Sequence, residues 1–337
     1  MKITANRRQV LGGIGAAAAA AALPGSMAFG QPVSLRIGTS SVGSVFYTLA
    51  VGAGELIRDK AGINTTVEPV GGSAANVNGI GRETVDLAVT NSFASFSGYN
   101  AMHGFNDPID HRLIIQGQPS YRWIFTRPGA GIESARDLEG RTIIGERRAL
   151  PELRLVLDAL ATALDLDIDS MNIVATADTG EAFAAIRAGS VDAFVMPFSP
   201  RAGIIEEGMR DRHIQFLHVT PEERDAMLEH LPAAFFPVDQ RANDFSNQEE
   251  VVPLVSLNTY MIGRTDLDNE TVYQVVKTLF EENETFISYH AAARNWTVEN
   301  TLIPPAVPLH DGVVQYFREI GVWTDEHEAV QQRLLSN

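Results

Sequence analysis

Three short loops rich in glycine, serine and asparagine each follow an apolar strand-like segment and precede a helical one. They span residues 38–44, 71–76 and 90–92. In a chain that alternates strands and helices, the carboxyl ends of parallel strands lie at one edge of the sheet, so these loops are expected to converge. The first helical turns there leave backbone N–H groups without partners, which suit a carboxylate or another small anion. The loops therefore predict a binding site for a small anion.

The polar side chains of these loops are candidate ligand contacts, but each also has an ordinary structural explanation. Ser44 and Ser73 stand where a helix cap is expected, and capping is a commoner role for serine there than nucleophilic catalysis. Asn91 and Ser92 carry the same ambiguity. The prediction therefore depends on three such loops sharing one sheet edge and not on any single residue.

A second set of strand-end loops lies in the middle of the chain. Residues 145–148, 176–178 and 197–199 each follow a short apolar segment. The strands and helices alternate in both parts, which predicts an α/β fold. Two extended segments near residues 119–127 and 254–262 would join the two parts, so we expect two α/β lobes with the loops facing each other across a crevice. Residues 221–248 have a weaker pattern and are expected to be rich in loops.

The sequence lacks the residue patterns of common catalytic and metal sites. Its eight histidines show no metal-ligand spacing, and neither a Gly-x-Ser-x-Gly motif nor a phosphate-binding loop lysine occurs. The cysteine count is zero, which excludes disulfides and thiolate chemistry. We therefore predict no enzyme, no cofactor and no metal.

The first 30 residues have the pattern of an export signal that is cleaved. Arg7 and Arg8 precede an Ala/Gly-rich apolar run at 11–23, and Pro24 breaks the run. The paired arginines resemble the twin-arginine type. The alternative, a membrane anchor, is disfavoured because the run is too short and too weakly apolar to span a bilayer. We expect the mature chain to lie free in the periplasm, without stable membrane insertion.

The chain is acidic, with 337 residues and a formal net charge of −16. Such a surface argues against nucleic acid or an anionic membrane as a partner. An anion-binding cleft is compatible with this charge because screening acts within about 8 Å and local donors decide affinity.

An ordered set of short motifs between about residues 34 and 321 resembles the TAXI solute receptors of tripartite ATP-independent periplasmic (TRAP) transporters. The matching segments are Ile37 to Tyr47 for Gly-x-x-Tyr-Tyr, Gly71 to Asn76 for Gly-Gly-Ser-x-x-Asn, Asp86 to Val89 for the strand before the third loop, Asp137 to Arg141 for Asp-Leu-Lys-Gly-Lys, Ser190 to Phe194 for Ile-Asp-Ala-Phe, and Pro308 to Gly312 for Pro-Leu-His-Pro-Gly. Each motif is short, but their order and spacing are fairly specific.

The resemblance implies a type II periplasmic-binding-protein fold, with two α/β lobes joined by a two-strand hinge and a ligand cleft between them. Lobe I would comprise residues 31–121 and 258–337, and lobe II residues 122–257. The function implied is capture of a small carboxylate-bearing solute, such as glutamate or a dicarboxylate, and its delivery to the integral membrane TRAP permease subunits. The ligand contacts expected from the resemblance and the loops are Ser44, Tyr47, Ser73, Asn76, Asn91, Ser92, Arg147, Arg148, Pro197 and Phe198.

One departure from the family pattern affects the second lobe. The family has a Gly/Ser-rich loop that offers backbone amides to a carboxylate, whereas this chain has Arg147 and Arg148 in that loop. An arginine binds a carboxylate bidentately. We expect one of the two to reach the cleft, with Arg148 favoured.

Two alternatives to a transport receptor share the same fold. A periplasmic sensor subunit would present its ligand to a membrane kinase, and only its membrane partner would distinguish it. A periplasmic enzyme would change its ligand chemically, whereas a receptor releases it unchanged.

Overall fold

The structure, a computed structural model, describes residues 34–148, 150–198, 200 and 202–336. The predicted export signal at 1–30 lies outside these residues. The described part of the chain forms ten strands and twelve α-helices. The strands are β1 (Ser34–Thr39), β2 (Asn64–Pro69), β3 (Leu87–Asn91), β4 (His111–Thr126), β5 (Thr142–Glu146), β6 (Asn172–Ala175), β7 (Ala193–Phe198), β8 (Gln215–Phe216), β9 (Phe236–Gln240) and β10 (Val252–Arg264). The helices are α1 (Val45–Ala61), α2 (Ser73–Gly81), α3 (Ser92–Tyr99), α4 (Glu152–Leu164), α5 (Thr179–Ala188), α6 (Gly203–Arg210), α7 (Pro221–Glu229), α8 (Asn269–Glu281), α9 (Asn283–Tyr289), α10 (Val298–Thr301), α11 (Asp311–Glu319) and α12 (Asp325–Leu335).

The strands form one sheet in the order β2-β1-β3-β10-β4-β7-β5-β6, with β9 paired to β10 and β8 paired to β4. β1 runs parallel to β2 and β3, and β5 runs parallel to β6 and β7. The long strands β4 and β10 pair antiparallel in the centre and connect the two parallel sets. The α/β fold predicted from the alternation is therefore confirmed.

Two hydrophobic clusters flank these central strands. The first cluster includes Ile37, Val89 and residues of α1 and α8. The second cluster includes Trp123, Phe194 and residues of α4. Phe93, at the start of α3, belongs to the second cluster, where its ring lies 5.9 Å from that of Phe235. Each parallel set of strands thus has its own core, and α3 reaches from one to the other.

One continuous strand replaces two predicted ones before residue 127. Residues 112–115 and 121–127 have the apolar patterns of two separate strands, but β4 runs without a break through Pro119. Proline has a fixed φ that an extended backbone accepts. The register between β4 and β10 shifts between Asn258 and Tyr260, next to the position opposite Pro119, and the irregularity accommodates the proline.

The apolar stripe over residues 269–289 predicts a single helix, but the structure has two helices there, α8 and α9. The backbone breaks at Glu282, where φ is −98° and ψ is 22°. The Asn283 side chain donates at 2.9 Å to the carbonyls of both Ala293 and Trp296, which turns the chain there. These contacts come from residues ten and thirteen positions later, so helical periodicity does not reveal them.

The segment expected to be rich in loops, 221–248, contains α7 and β9. Thr220 caps α7 with a reciprocal bond to Glu223, and Pro221 stands at the first helical position. The helix buries only Arg224 and Met227, so its apolar stripe is too narrow to produce a strong periodic signal.

Candidate functional site

The three loops of the first strand set meet at one edge of the sheet, as predicted. The N–H of Val70 donates to the carbonyl of Thr39 at 2.8 Å, which joins the ends of β1 and β2. The Thr90 hydroxyl donates to the Ser73 carbonyl at 3.1 Å, and the Asn76 amide donates to the Val89 carbonyl at 2.7 Å. These bonds fix the start of α2 against the end of β3.

The helices that leave this edge begin in different ways. Ser44 caps α1 by accepting from the N–H of Tyr47 at 3.1 Å, and Asn91 caps α3 by accepting from the N–H of Ala94 at 2.7 Å. Ser73, expected to be a cap, is instead the first residue of α2, and no side chain caps that helix. Gly72 precedes it with φ of 139°, a backbone conformation that requires glycine. The N-terminus of α2 is therefore formed by backbone groups alone.

Three fully buried polar side chains on this side of the sheet hold oxygen atoms without hydrogen-bond partners among the described residues. The atoms are Thr39 Oγ1, Asn76 Oδ1 and Thr259 Oγ1. Thr39 ends β1, Asn76 lies in α2, and Thr259 stands opposite Asn91 in the β10–β3 pairing. An unsatisfied buried polar group costs about 1–3 kcal/mol, so a ligand that paired with these atoms would recover that energy. The hydroxyls can donate to a carboxylate, and the amide oxygen can accept from an ammonium.

Sequence reasoning selected Asn76 but not Thr39 or Thr259. Thr39 lies in the first of the three loops, next to Gly38, so a loop-wide list of hydroxyls would have included it. Thr259 lies in a long apolar strand, and only the pairing of β10 with β3 brings it opposite Asn91.

The second set of loops places its predicted residues at different depths. Arg148 is exposed, whereas Arg147 is partly buried and its Nε is buried without a partner among the described residues. Pro197 and Phe198 end β7, partly buried. The Phe198 ring lies edge-on to Phe125 and Phe183, with centroids 6.1 and 6.0 Å away. Burial thus favours Arg147 over Arg148 as the arginine that contacts a ligand. The Phe198 ring packs against side chains of the hydrophobic core.

A buried ion pair that sequence reasoning missed lies among the predicted site residues. The Arg122 guanidinium donates to Glu152 Oε1 at 2.7 Å, and both side chains are 1% exposed. Asn91 Nδ2 donates to the same carboxylate oxygen at 3.0 Å. A second Arg122 nitrogen donates to the carbonyl and the hydroxyl of Ser120 at 2.8 and 3.0 Å. Burial lowers the pKa of Arg122, while the Glu152 carboxylate acts in the opposite direction.

Ser92 is also engaged by structural contacts. Its hydroxyl donates to the Ala234 carbonyl at 3.1 Å and accepts from the N–H of Asn258 at 3.1 Å. With Asn91 bonded to Glu152, the third loop is tied to β10, to the start of α4 and to the segment that precedes β9.

Neither a metal centre nor a membrane span is present in the part of the chain that the structure describes. No group of three or more His, Asp or Glu side chains there could hold a metal ion. None of the helices described is both long and apolar enough to cross a bilayer.

Comparison with known proteins shows a family and a shared fold. The NMT1-like family matches residues 37–321, and the chain belongs to that family. The structure of PhnD1 from Prochlorococcus marinus in complex with methylphosphonate shares the fold with a TM-score of 0.55 and 10% identity, over 87% of this chain and 100% of that one.

Two further solved structures are similar at lower scores. MatC from Rhodopseudomonas palustris with bound malate has a TM-score of 0.49 and 13% identity, over 90% of this chain and 98% of that one. SsuA, the periplasmic aliphatic sulphonate-binding protein of Escherichia coli, has a TM-score of 0.48 and 14% identity, over 90% of this chain and 86% of that one. No curated protein matches this sequence. The chain has a two-lobe α/β fold, which it shares with PhnD1.

Proposed function

We propose that this member of the NMT1-like family is a TAXI-type receptor that captures a small carboxylate-bearing solute in the periplasm and delivers it to a TRAP permease. The observation that carries the proposal is the meeting of three strand-end loops near buried polar oxygens that have no partners in the part of the chain that the structure describes. A site built to bind a polar solute leaves such groups for the solute to pair with. Residues 1–30, with the paired arginines, would export the chain.

The proposed lobes follow the two hydrophobic clusters. Lobe I would hold residues 31–121 and 258–337, and lobe II residues 122–257, with β4 and β10 as the two crossings. The Asn91–Glu152 and Ser92–Ala234 hydrogen bonds cross this proposed boundary. Closure of two lobes on a solute would exclude water from the polar groups of both edges.

The proposed chemistry assigns different parts of the solute to the two edges. Hydroxyls of Thr39 and Thr259 would donate to solute oxygen atoms, and Asn76 Oδ1 would accept from a solute N–H. The Arg147 guanidinium, with its buried Nε free of protein partners among the described residues, would pair with a carboxylate. An amino acid with an acidic side chain, such as glutamate, offers all of these groups.

The direct test identifies what the protein carries. The protein, expressed with its own residues 1–30, is purified from the periplasm and denatured, and the released small molecules are identified by mass spectrometry and titrated back by calorimetry. We expect a small carboxylate that is released unchanged. Recovery of a chemically altered ligand on incubation would indicate an enzyme. Co-purification of a membrane kinase in place of permease subunits would indicate a sensor.

Removal of the Thr39 and Thr259 hydroxyls is expected to weaken solute binding without lowering the stability of the unliganded protein. Thr39→Val and Thr259→Val should each weaken solute binding roughly three- to tenfold, because each removes one hydrogen bond to the solute. The unliganded protein should be as stable as the wild type or more so, since valine replaces an unsatisfied hydroxyl with an apolar group of the same shape. Calorimetry and urea denaturation measure the two effects.

Thr90→Val is the matched control, because the Thr90 hydroxyl is equally buried but donates to the Ser73 carbonyl. It should lower stability. Loss of stability in Thr39→Val without loss of affinity would mean that its hydroxyl is a structural group.

The two arginines are expected to differ in a titration. Arg147→Gln should weaken binding by about ten- to a hundredfold, the value of a charge-assisted hydrogen bond, and the wild-type affinity should fall as salt rises. Arg148→Gln is the control because Arg148 is exposed. Wild-type affinity in Arg147→Gln would remove that residue from the site.

A further inference from the structure

The buried Arg122–Glu152 pair lies where the two sets of loops approach each other. Asn91, which ends β3, bonds directly to Glu152. Pro197, near the end of β7, stands opposite Arg122 in the β4–β7 pairing. Glu152 begins α4, five residues after Arg147. Two predicted site positions, Asn91 and Pro197, therefore lie directly beside the pair.

The pair is costly as a purely structural element. Transfer of two charges from water to the protein interior carries a desolvation penalty, and the attraction between the charges offsets this penalty only when their geometry is excellent. Apolar side chains of similar volume in the same place often stabilise a protein as much as a buried ion pair does, or more. The geometry here is incomplete, because Arg122 Nε is buried without a partner among the described residues. A role in binding would explain why two charges stand at this position.

We infer that Glu152 is a specificity-determining residue that sets the net charge of the solute by neutralising Arg122 between the two sets of strand-end loops. The inference rests on the proposed function. With Arg122 balanced internally, Arg147 is the partly buried arginine of the predicted site that, among the described residues, can balance a bound anion. The site therefore prefers a solute of net charge −1, such as L-glutamate, over a dianion of similar length, such as succinate.

Removal of one or the other charge of the pair is expected to change the ratio of succinate to L-glutamate affinity in opposite directions. Glu152→Gln leaves Arg122 unbalanced, so the ratio of succinate to L-glutamate affinity should rise roughly ten- to a hundredfold, as expected for one extra charge several ångströms from the solute. Arg122→Gln leaves Glu152 unbalanced, so the same ratio should fall. The double variant restores neutrality and should return the ratio to the wild-type value.

Glu222→Gln is the matched control. Glu222 follows Pro221 in the first turn of α7, as Glu152 follows Pro151 at the start of α4, but Glu222 is exposed. This variant changes the total charge and the helix terminus in the same way and should leave the ratio unchanged.

The experiment titrates L-glutamate and succinate into each variant by calorimetry at pH 8, with circular dichroism to confirm folding. If Glu152→Gln fails to fold, the fall in the ratio for Arg122→Gln still tests the inference. An unchanged ratio in every folded single variant, with wild-type binding intact, would overturn the inference and leave the proposed function standing. A wild-type protein that binds neither probe and releases no carboxylate would overturn both.

Discussion

Truncation of Glu152 to alanine is expected to lower the free energy of unfolding by about 3–5 kcal/mol, because it leaves the Arg122 guanidinium buried without its counter-charge. Both side chains are 1% exposed, so water cannot replace the lost carboxylate at low cost. Asn91 also loses the acceptor of its amide, since it donates to the same carboxylate oxygen. Urea denaturation of the unliganded protein measures the loss.

A double substitution separates the net contribution of the ion pair to the free energy of unfolding from the cost of leaving one of its charges unpaired. Arg122→Met with Glu152→Met removes both charges and keeps most of the buried volume, so its stability should be close to that of the wild type or above it. Glu222→Ala, in the first turn of α7, should change stability by less than about 0.5 kcal/mol. A loss in the double variant as large as in Glu152→Ala would show that packing, and not an unpaired charge, dominates.

The parts of the site that sequence could predict depend on local geometry. The Ser44 cap joins residues three positions apart, and the capping bond of Asn91 does the same. The convergence of the three loops follows from strand direction, which the β/α alternation fixes. These features need no knowledge of which distant strands pair.

The parts that sequence could not predict depend on strand order and register. Arg122 and Glu152 are 30 residues apart, and their contact requires β4, β7 and the start of α4 to be in place. Thr259 comes opposite Asn91 only because β10 returns between β3 and β4. Burial of individual groups is likewise a tertiary property, so the sequence alone does not show that Arg147 is more buried than Arg148.

The alternation of side chains along β7 predicts a core position for Phe198. Phe194 and Phe198 are four positions apart in β7, so their side chains point to the same face of the sheet. Both rings pack against Phe125 and Phe183. The period of the strand therefore indicated a core role for Phe198 alongside its position at the strand end.

One of the buried histidines, His111, is expected to make the protein less stable as the pH falls from about 6.5 to 4. His111 is fully buried at the start of β4, where Nδ1 donates to the Ile109 carbonyl at 2.7 Å and Nε2 accepts from the Ser95 hydroxyl at 2.8 Å. Burial lowers the pKa of His111 to about 4. The native state therefore holds the neutral ring over a range in which the unfolded chain, with an ordinary pKa near 6.5, takes up a proton.

The sign and size of the effect follow from this difference. Because the unfolded state binds more protons between the two pKa values, acid favours unfolding, and the contribution reaches about 3 kcal/mol at pH 4. Carboxylates add their own pH dependence of stability below about pH 5, so the test compares variants at each pH.

The free energy of unfolding of His111→Gln should fall less steeply between pH 6.5 and 4 than that of the wild type. His218→Gln, at an exposed position, should keep the wild-type slope. Equal slopes for all three proteins would mean that His111 takes up its proton in the native state. Nε2 would then donate to the Ser95 hydroxyl oxygen, so the hydroxyl would have to change from donor to acceptor without a cost in free energy.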